Sequence, residues 1–555
     1  MDPLTQALET GQGKDSEVLS RSPHRSDPFP PVLALALVLA LALAAVCFTA
    51  ASLWWSGQSY RLSNEPIYDD NQYFDDALSR LRVLNQHGTE AFLNTWCAWP
   101  PHSPFSTGLA TLAFGVFGLH EYAPYALNGL LVVVLLFEVS ALCGRSRLWV
   151  KAFLCAFVLS LPFSRAAVVE FRPDFAVGLF GALACWRVLR IGIGPVEPRT
   201  FVRYGAISLY TALALLAKPS FFLHSLVILG SSVLLAAVLA KRRAATLTSL
   251  GAAVAAGLAL AAPYYFFDRG TILQYFLANT GNGAMAKTWR LEGGLLHSLA
   301  YYLTGDAGVM LGNFLLPGAL IIVAGAVRLA ITRQFVKLKF CLAAALISGA
   351  SFAAISYGSI ENRFFGFPFQ ILFVFLCVYL VADWLASAGT RRAGSIVLIA
   401  VILVCGLLQA PFYRGMPTFP DLMWSRPINR VLYRAVFADL DRQPLPAPRA
   451  PFISFCTLGI LSPHTQHYYA LKDGRDLAYE FDIYSDNPDA VWKALERADF
   501  VETTELESSA TVISKVPLSG IQDQLIQRCL RDPGLRLVTC IDLAKGHAYL
   551  FRRVR

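Results

Sequence analysis

The 555-residue chain is strongly apolar, because 55% of its residues are hydrophobic and only 15% are charged. A soluble domain usually carries about a quarter charged residues, so the composition excludes an ordinary soluble protein and indicates a membrane protein. The net charge of +9 does not indicate nucleic-acid binding, because the cations gather in short loops between apolar segments, where they orient a membrane protein.

Apolar segments long enough to cross a bilayer recur along the chain, since a membrane helix needs roughly 20 residues. Lipid offers no hydrogen-bond partner to exposed backbone, so we predict an all-α polytopic membrane bundle of about 11–13 transmembrane helices. The predicted spans are residues 31–55, 122–143, 148–163, 175–191, 203–217, 219–240, 245–267, 308–331, 337–357, 366–384 and 395–413. The shorter stretch 105–119 is predicted to be a partial or re-entrant helix.

The basic residues predict the orientation of this bundle. If residues 1–30 form a cytoplasmic tail, every basic cluster falls on the cytoplasmic side, as the positive-inside rule requires. The transmembrane module, residues 31–420, then has outer loops at 56–104, 164–174, 268–307 and 358–365. We therefore predict that these loops and the rest of the chain face the outside.

Residues 421–555 differ in character and predict a small C-terminal α/β extracytoplasmic domain. The proline-rich "LPAPRAP" at 445–451 indicates a linker. After it, strands are predicted at 452–456, 498–505, 535–543 and 548–554, with helices at 488–497 and 519–531. Cys529 and Cys540 are compatible either with a disulfide or with two free thiols.

The first outer loop concentrates acid in "YDDNQYFDD", residues 68–76. Residues 72–87 have the periodicity of an amphipathic juxtamembrane helix, on which Asp75 and Asp76 are predicted to be solvated or salt-bridged surface charges. Asp69 and Asp70 are predicted just before its first turn. Carboxylates there can cap the helix, but one cap does not need two acids, so a functional role stays open.

The second outer loop, "FSRAAVVEFRPDF", crowds four charges between apolar segments. Charges at such a depth are costly and usually face each other or a cavity. One interpretation is that ion pairs, Arg172 with Asp174 or Arg165 with Glu170, neutralise themselves. The other is that Asp174 supplies a second acid beside the first loop.

Lys218 and Arg363 are predicted near the same outer face. A single snorkelling lysine would be unremarkable, but the two residues bring positive charge to the side that holds the acids. An acid there can take a proton from an attacking hydroxyl, while Lys and Arg stabilise a departing phosphate.

The motifs resemble those of the glycosyltransferase C superfamily, in particular the branch of protein O-mannosyltransferases and the lipid A aminoarabinose transferase. That branch carries D-D/E-x-x-Y-x-x-x-A and then a Pro-Pro helix entry, which correspond here to Asp69-Asp70-Asn71-Gln72-Tyr73, Ala77 and Pro100-Pro101. The stretch 117–144 resembles the family's Phe-Gly turn and following helix, and "RPDF" its second acid. Tyr68, Asp70 and the run Tyr122-Ala123-Pro124 depart from the usual pattern.

The resemblance implies an inverting transfer of a hexosyl or pentosyl group from a polyprenyl-phosphate donor to an acceptor hydroxyl. The acceptor would be a glycolipid, a glycan or a protein, on the extracytoplasmic face of a bacterial inner membrane. Asp69 would be the general base, Asp70 would orient it or the sugar, and Asp174 would position the acceptor. The substrate-binding positions would be Tyr73, Pro101, His102, Arg172, Lys218 and Arg363.

No metal site and no obligatory cofactor is predicted, although the acid pair Asp69 and Asp70 could hold a divalent cation. Two other functions use the same features. One is a transporter or flippase of a lipid-linked substrate, which needs the cavity without the base, and the other is a polymerase or ligase of polyprenyl-linked polysaccharide. A non-catalytic scaffold would leave the acids as caps and ion pairs. The sequence specifies neither the sugar nor the acceptor.

Overall fold

The computed structural model describes residues 31–63, 65–66, 69–144, 146–193, 201–279, 283–358, 360, 362–387, 392–409, 425–442, 451–455, 463–475, 477–480, 487–505, 517–543 and 546–554. The predicted tail 1–30, most of the linker 445–451 and Cys456 lie outside these residues. The chain forms two compact units, Met1–Ala44 and Ala45–Arg555. The described part of the first is helical, and the second contains every other element.

The helices up to the end of the membrane module are α1 Pro31–Ser59, α2 Asp69–Ala98, α3 Pro104–Phe117, α4 Ala123–Leu142, α5 Leu148–Ser160, α6 Pro162–Val169, α7 Pro173–Ile193, α8 Phe201–Ala217, α9 Phe222–Leu239, α10 Arg243–Phe267, α11 Arg269–Asn279, α12 Ala284–Trp289, α13 Gly294–Leu303, α14 Leu315–Ile331, α15 Phe335–Gly358, α16 Phe367–Ser387 and α17 Arg392–Leu407. The remaining elements are α18 Ser425–Arg442, β1 Pro451–Phe455, α19 Pro463–Lys472, β2 Ala478–Glu480, α20 Pro488–Arg497, β3 Phe500–Thr504, α21 Gln522–Arg531, β4 Leu535–Asp542 and β5 His547–Arg553.

The predicted polytopic membrane bundle is confirmed. Among the described helices, eight are long and apolar enough to cross a membrane: α1, α4, α7, α9, α10, α14, α15 and α16. The pair α5 and α6, bent by 67°, adds a ninth if it is one broken span, and α3, α8 and α17 are shorter apolar helices. The long helices, the bent pair, α8 and α17 correspond to the predicted spans one for one.

The bend between α5 and α6 corrects one predicted boundary. Leu161 has extended backbone angles, φ −75° and ψ 139°, as expected for a residue that precedes a proline. The helix then resumes at Pro162, so residues 162–169 are helical where the sequence suggested that a loop begins at 164. Glu170 and Arg172 consequently sit on a very short connection between α6 and α7.

Two well-buried helices, α7 and α16, pack against each other in the bundle. Gly178 permits their close approach, because a Cβ atom at this position would lie 2.7 Å from the Cβ of Phe367 and 2.9 Å from its carbonyl carbon. Small residues serve the same purpose at many membrane helix interfaces. The contact holds Asp174, in the first turn of α7, near the turn that leads into α16.

Helix α2 is longer than predicted and continues to Ala98, with a break at Gly88, whose φ is 82°. Its apolar face is buried as predicted, and Phe74 and Ala77 have no exposed surface. Asp75 was predicted to be a solvated or salt-bridged surface charge, and its surface position is wrong, because Asp75 is 5% exposed and lies 3.5 Å from His464 and 3.2 Å from His467 of α19. Asp76 is salt-bridged to Arg80 at 3.0 Å.

The described residues from Ser425 onward form the predicted small α/β fold, which is called the C-terminal unit below and is part of the larger compact unit Ala45–Arg555. Its mixed sheet has the strand order β2-β1-β3-β5-β4. β1 is parallel to β2 and β3, whereas β5 is antiparallel to β3 and β4. Strand β2 and helices α18 and α19 were not predicted. Cys529 is buried, Cys540 is exposed, and both are free thiols.

The two faces of this sheet belong to different cores. Side chains alternate along a strand, so Val501 and Phe551 pack against α20 and α21. Phe500 and Leu550 instead join the cluster that contains Phe74 of α2. The C-terminal unit therefore shares one hydrophobic core with the helix that carries the acids.

Asp439 fastens α18 to the sheet, because its carboxylate accepts hydrogen bonds from Arg552 at 2.7 Å and from Arg536 at 2.6 Å. Burial favours the neutral acid, but the two arginines outweigh it and lower the pKa of Asp439. Arg552 is itself buried, so loss of this carboxylate leaves a buried charge without compensation.

We expect Asp439→Asn to lower the free energy of unfolding by about 2–3 kcal/mol, because it weakens hydrogen bonds to charged groups, measured by thermal unfolding of the purified chain. Asp441→Asn is the matched control, because the Asp441–Arg475 pair is exposed and its loss should cost less than about 1 kcal/mol. The contribution of Asp439 is lost as the pH falls below its ordinary pKa of 3.8, so wild type and variant should converge in acid. Equal effects of the two substitutions would contradict this assignment.

Candidate active site

The acid pair of the first loop lies at the start of α2. The helix begins at Asp69, so both acids are in its first turn and not before it; the side chain of Asp69 lies outside the described part of the chain. Asp70 is fully buried, and the Tyr125 hydroxyl donates to its Oδ2 at 2.6 Å. Its Oδ1 has no hydrogen-bond partner among the described residues. Burial raises the pKa of Asp70 to about 6, against the opposing charges of Arg61 and Arg172.

A buried ion pair lies beside Asp70. The Arg61 guanidinium donates to Oε2 of Glu170 at 2.7 Å, and the Tyr60 hydroxyl donates to Oε1. Arg172 approaches the same carboxylate at 3.6 Å, and the Asn128 amide donates to the Glu170 carbonyl oxygen at 3.1 Å. Burial disfavours the charged acid, but the two guanidinium groups outweigh it and lower the pKa of Glu170. Glu170 is therefore held as a carboxylate.

A second acid–cation pair joins α7 to the connection between α8 and α9. Lys218 has extended backbone angles and precedes Pro219, and its ammonium donates to Oδ1 of Asp174. Asp174 lies in the first turn of α7, where the helix dipole favours a negative charge. Its Oδ2 has no hydrogen-bond partner among the described residues, which leaves one acceptor position on this carboxylate.

The 3₁₀ turn Arg363–Gly366 brings the two pairs together. The Arg172 guanidinium lies 5.1 Å from the ring centre of Phe364, and the Lys218 ammonium lies 4.2 Å from that of Phe365. Cations at such distances from an aromatic face are attracted by it. Arg363 is more exposed and lies 3.9 Å from Asp306. The turn therefore supports Arg172 and Lys218, two of the three cations among the predicted substrate-binding residues, on neighbouring aromatic rings.

Aromatic side chains border the acids on another side. Tyr73 stacks on His102 with ring centres 6.3 Å apart, and His102 meets Tyr275 of α11 edge-on at 5.0 Å. The Pro101 carbonyl oxygen accepts a hydrogen bond from Tyr264 at 3.0 Å. Tyr73, Pro101 and His102 thus form one group, which also contacts the predicted loop 268–307 through α11.

The sequence missed part of this arrangement. Glu170 is bound by Arg61, and Asp174 by Lys218, whereas the sequence suggested Arg165 and Arg172 as their partners. Tyr125 was also missed, although it lies in the stretch 117–144 that resembles a family motif. The available signal for Arg61 was its place directly after a membrane span, where a charge needs a partner.

No group of three or more His, Cys, Asp or Glu side chains in the described ranges is arranged to hold a metal ion. Because the Asp69 side chain is not among them, the acid pair itself is untested as a cation site. The absence of an obligatory metal therefore stays a prediction.

Comparison with solved structures identifies the architecture. The chain superposes on ArnT from Cupriavidus metallidurans in the apo state with a TM-score of 0.52 and 14% identity, over 94% of this chain and 98% of ArnT. The same protein bound to undecaprenyl phosphate gives a TM-score of 0.51 and 13% identity over the same shares. The chain has the fold of ArnT.

ArnT is the lipid A aminoarabinose transferase, a glycosyltransferase of the C superfamily, so the resemblance predicted from the motifs is confirmed at the level of the fold. The oligosaccharyltransferase of Archaeoglobus fulgidus in its apo form matches with a TM-score of 0.49 and 12% identity, over 85% of this chain and 69% of that one. No protein-family model matches the sequence, and no curated protein does so.

The raised pKa of Asp70 makes the stability of the site depend on pH. The folded chain holds this proton more tightly than the unfolded chain, so stability is lost as the pH rises from the ordinary pKa of 3.8 towards about 6. Asparagine still accepts a hydrogen bond from Tyr125 but does not titrate. The difference in unfolding temperature, Asp70→Asn minus wild type, should therefore be more positive at about pH 7.5 than at about pH 4.5.

Asp306→Asn provides the control, because Asp306 is an exposed aspartate at the same side of the bundle. Between the two pH values, the unfolding temperature relative to wild type should change more for Asp70→Asn than for Asp306→Asn. Equal changes in the two variants would refute the raised pKa of Asp70.

Proposed function

We propose that this chain is a membrane glycosyltransferase that moves a sugar from a polyprenyl-phosphate donor to an acceptor hydroxyl on the extracytoplasmic face, with inversion. The fold of ArnT, which has been solved with undecaprenyl phosphate bound, supports this donor class. The acceptor is a glycolipid, a glycan or a protein, and the transferred group is a hexosyl or pentosyl unit. The membrane is the bacterial inner membrane.

One observation carries the proposal: segments distant in the chain bring buried acids and cations to one end of α7 and α16. Asp70 and Asp174 each keep an unoccupied carboxylate oxygen among the described residues, while Lys218 and Arg172 are supported by the rings of the 363–366 turn. A phosphate leaving group needs cations, and an incoming hydroxyl needs an acid to take its proton.

In the proposed reaction the acceptor oxygen attacks the anomeric carbon from the side opposite the phosphate. The proton of the hydroxyl passes to the Asp69 carboxylate, and the electron pair of the breaking carbon–oxygen bond leaves with the polyprenyl phosphate. Lys218 and Arg172 stabilise that anion. Asp174, through its unoccupied oxygen, orients the acceptor, and Asp70 orients Asp69 or the sugar. Arg363, Tyr73, Pro101 and His102 complete the substrate-binding surface.

The acidic residues give the first test. Asp69→Asn should reduce the release of polyprenyl phosphate from a polyprenyl-phosphate sugar by about 10²-fold or more, because it removes the proposed general base. Asp174→Asn should also lower transfer. Asp383→Asn is a matched control, because Asp383 pairs with a lysine as Asp174 does, and with an arginine as well, but lies at the opposite end of α16. Normal transfer by Asp69→Asn would exclude it as the base.

The second test removes positive charge. It compares Lys218, which pairs with Asp174, with Lys337, which pairs with Asp383. Lys218→Gln should lower kcat/KM for the donor at least about tenfold, because a positive charge near the departing phosphate is lost. Lys337→Gln, which removes one of the two partners of Asp383, should leave kcat/KM within about twofold of wild type. The same loss in both variants would show that Lys218 acts through stability alone.

The same preparation separates the rival functions. Movement of the donor across a vesicle membrane without cleavage would support the transporter, and transfer of preassembled polysaccharide chains would support the polymerase or ligase. Either result would replace the proposal.

A further inference from the structure

The segment that carries the acid pair is held at both of its ends by α19, a helix of the C-terminal unit that the sequence did not predict. The contact lies more than three hundred residues along the chain from the acids. The residues that form hydrogen bonds in this contact are all buried. Their polar atoms must therefore find partners within the protein.

Three polar groups form a closed set of hydrogen bonds. The Asn71 amide donates to the carbonyl oxygen of Pro66 and to the hydroxyl of Thr465, the latter at 2.8 Å. The Thr465 hydroxyl in turn donates to the same Pro66 carbonyl oxygen at 2.9 Å. Pro66 precedes the acids and Asn71 follows them, so Thr465 closes a loop around Asp69 and Asp70.

Two further contacts join the same surfaces. The Tyr469 hydroxyl donates to Oε1 of Glu65 at 2.5 Å, and burial raises the pKa of Glu65 to about 8. One turn into α2, Asp75 faces His464 at 3.5 Å and His467 at 3.2 Å. α19 thus contacts the chain both before and after the acid pair.

The hydrophobic packing agrees with these polar contacts. Tyr468 and Tyr469 belong to the cluster that contains Phe74, Tyr125 and Phe171, and Tyr468 lies 6.2 Å from Phe74 between ring centres. The separate core under the other face of the sheet does not include them. In packing terms, α19 is part of the acid-bearing site as well as of the C-terminal unit.

We infer that Thr465 is a positioning residue for the glycosyl transfer: through Pro66 and Asn71 it fixes the backbone that carries Asp69 and Asp70. This inference rests on the proposed function. Among the described residues, the Asp70 side chain accepts one hydrogen bond, from Tyr125, so its position also depends on the backbone that carries it. A displacement of about 1 Å at a reacting group can cost on the order of 10²-fold in rate.

Thr465→Val tests the inference, because it preserves the shape of the side chain and removes the hydroxyl. We expect kcat to fall about tenfold while KM for the donor changes less than about twofold, since the acids move and the phosphate-binding cations do not. Thr465→Ser restores the hydroxyl and should recover most of kcat.

Thr503→Val is the matched control. Thr503 is a buried threonine of β3 that accepts a hydrogen bond from Gln522 at 2.6 Å, wholly within the C-terminal unit. It should lower the unfolding temperature at least as much as Thr465→Val but leave kcat unchanged. Equal losses of kcat in the two variants, or wild-type kcat in Thr465→Val, would overturn the positioning role.

Hydrogen–deuterium exchange of the full chain gives a readout that needs no activity. Amides of residues 65–76 should exchange faster in Thr465→Val and at the wild-type rate in Thr465→Ser and Thr503→Val. If wild-type protein transfers no sugar but this pattern is seen, the proposed function fails and the contact stands. If wild-type protein is active and exchange at 65–76 is unchanged in Thr465→Val, the inference itself is wrong.

Discussion

The arrangement of the site depends on the cost of burying charge. Glu170 and Arg61 are both almost completely buried, and an unpaired ion at such a position would cost several kcal/mol. Their pairing fixes the end of α1 against the short connection between α6 and α7. Arg172 and Tyr60 also contact the Glu170 carboxylate, and the Asn128 amide binds the carbonyl oxygen of the same residue. The arrangement of side chains around Asp70 therefore follows from the contacts that one buried acid needs.

The packing of α7 against α16 also shapes the site. Gly178 has no side chain, so the two helices approach closely there. This approach brings the rings of Phe364 and Phe365 next to Arg172 and Lys218. A ring face attracts a cation without neutralising it. Arg172 and Lys218 are therefore supported by these rings in addition to the carboxylates beside them.

The sequence predicted the bundle well because composition and span length are local properties. The spans, the strands of the tail and the amphipathic face of α2 all follow from residues that are close in the chain. The partners of the charges do not. Arg61 and Glu170 are 109 residues apart, Lys218 and Asp174 are 44 apart, and Asn71 and Thr465 are 394 apart. The helix "PHTQHYYALK" has mixed polar and aromatic residues without a clear apolar stripe, so neither α19 nor its contacts could be predicted.

The position of α19 after the membrane helices along the chain has a consequence for biogenesis. Asp69 and Asp70 leave the ribosome long before Thr465 and Tyr469, so the acid-bearing segment meets these partners only after the membrane helices that follow α1 have been synthesised. A chain that stalls before α19 contains those helices but lacks Thr465, one of the two partners of the Asn71 amide. Completion of the contacts around Pro66 and Asn71 is thereby coupled to the synthesis of α19.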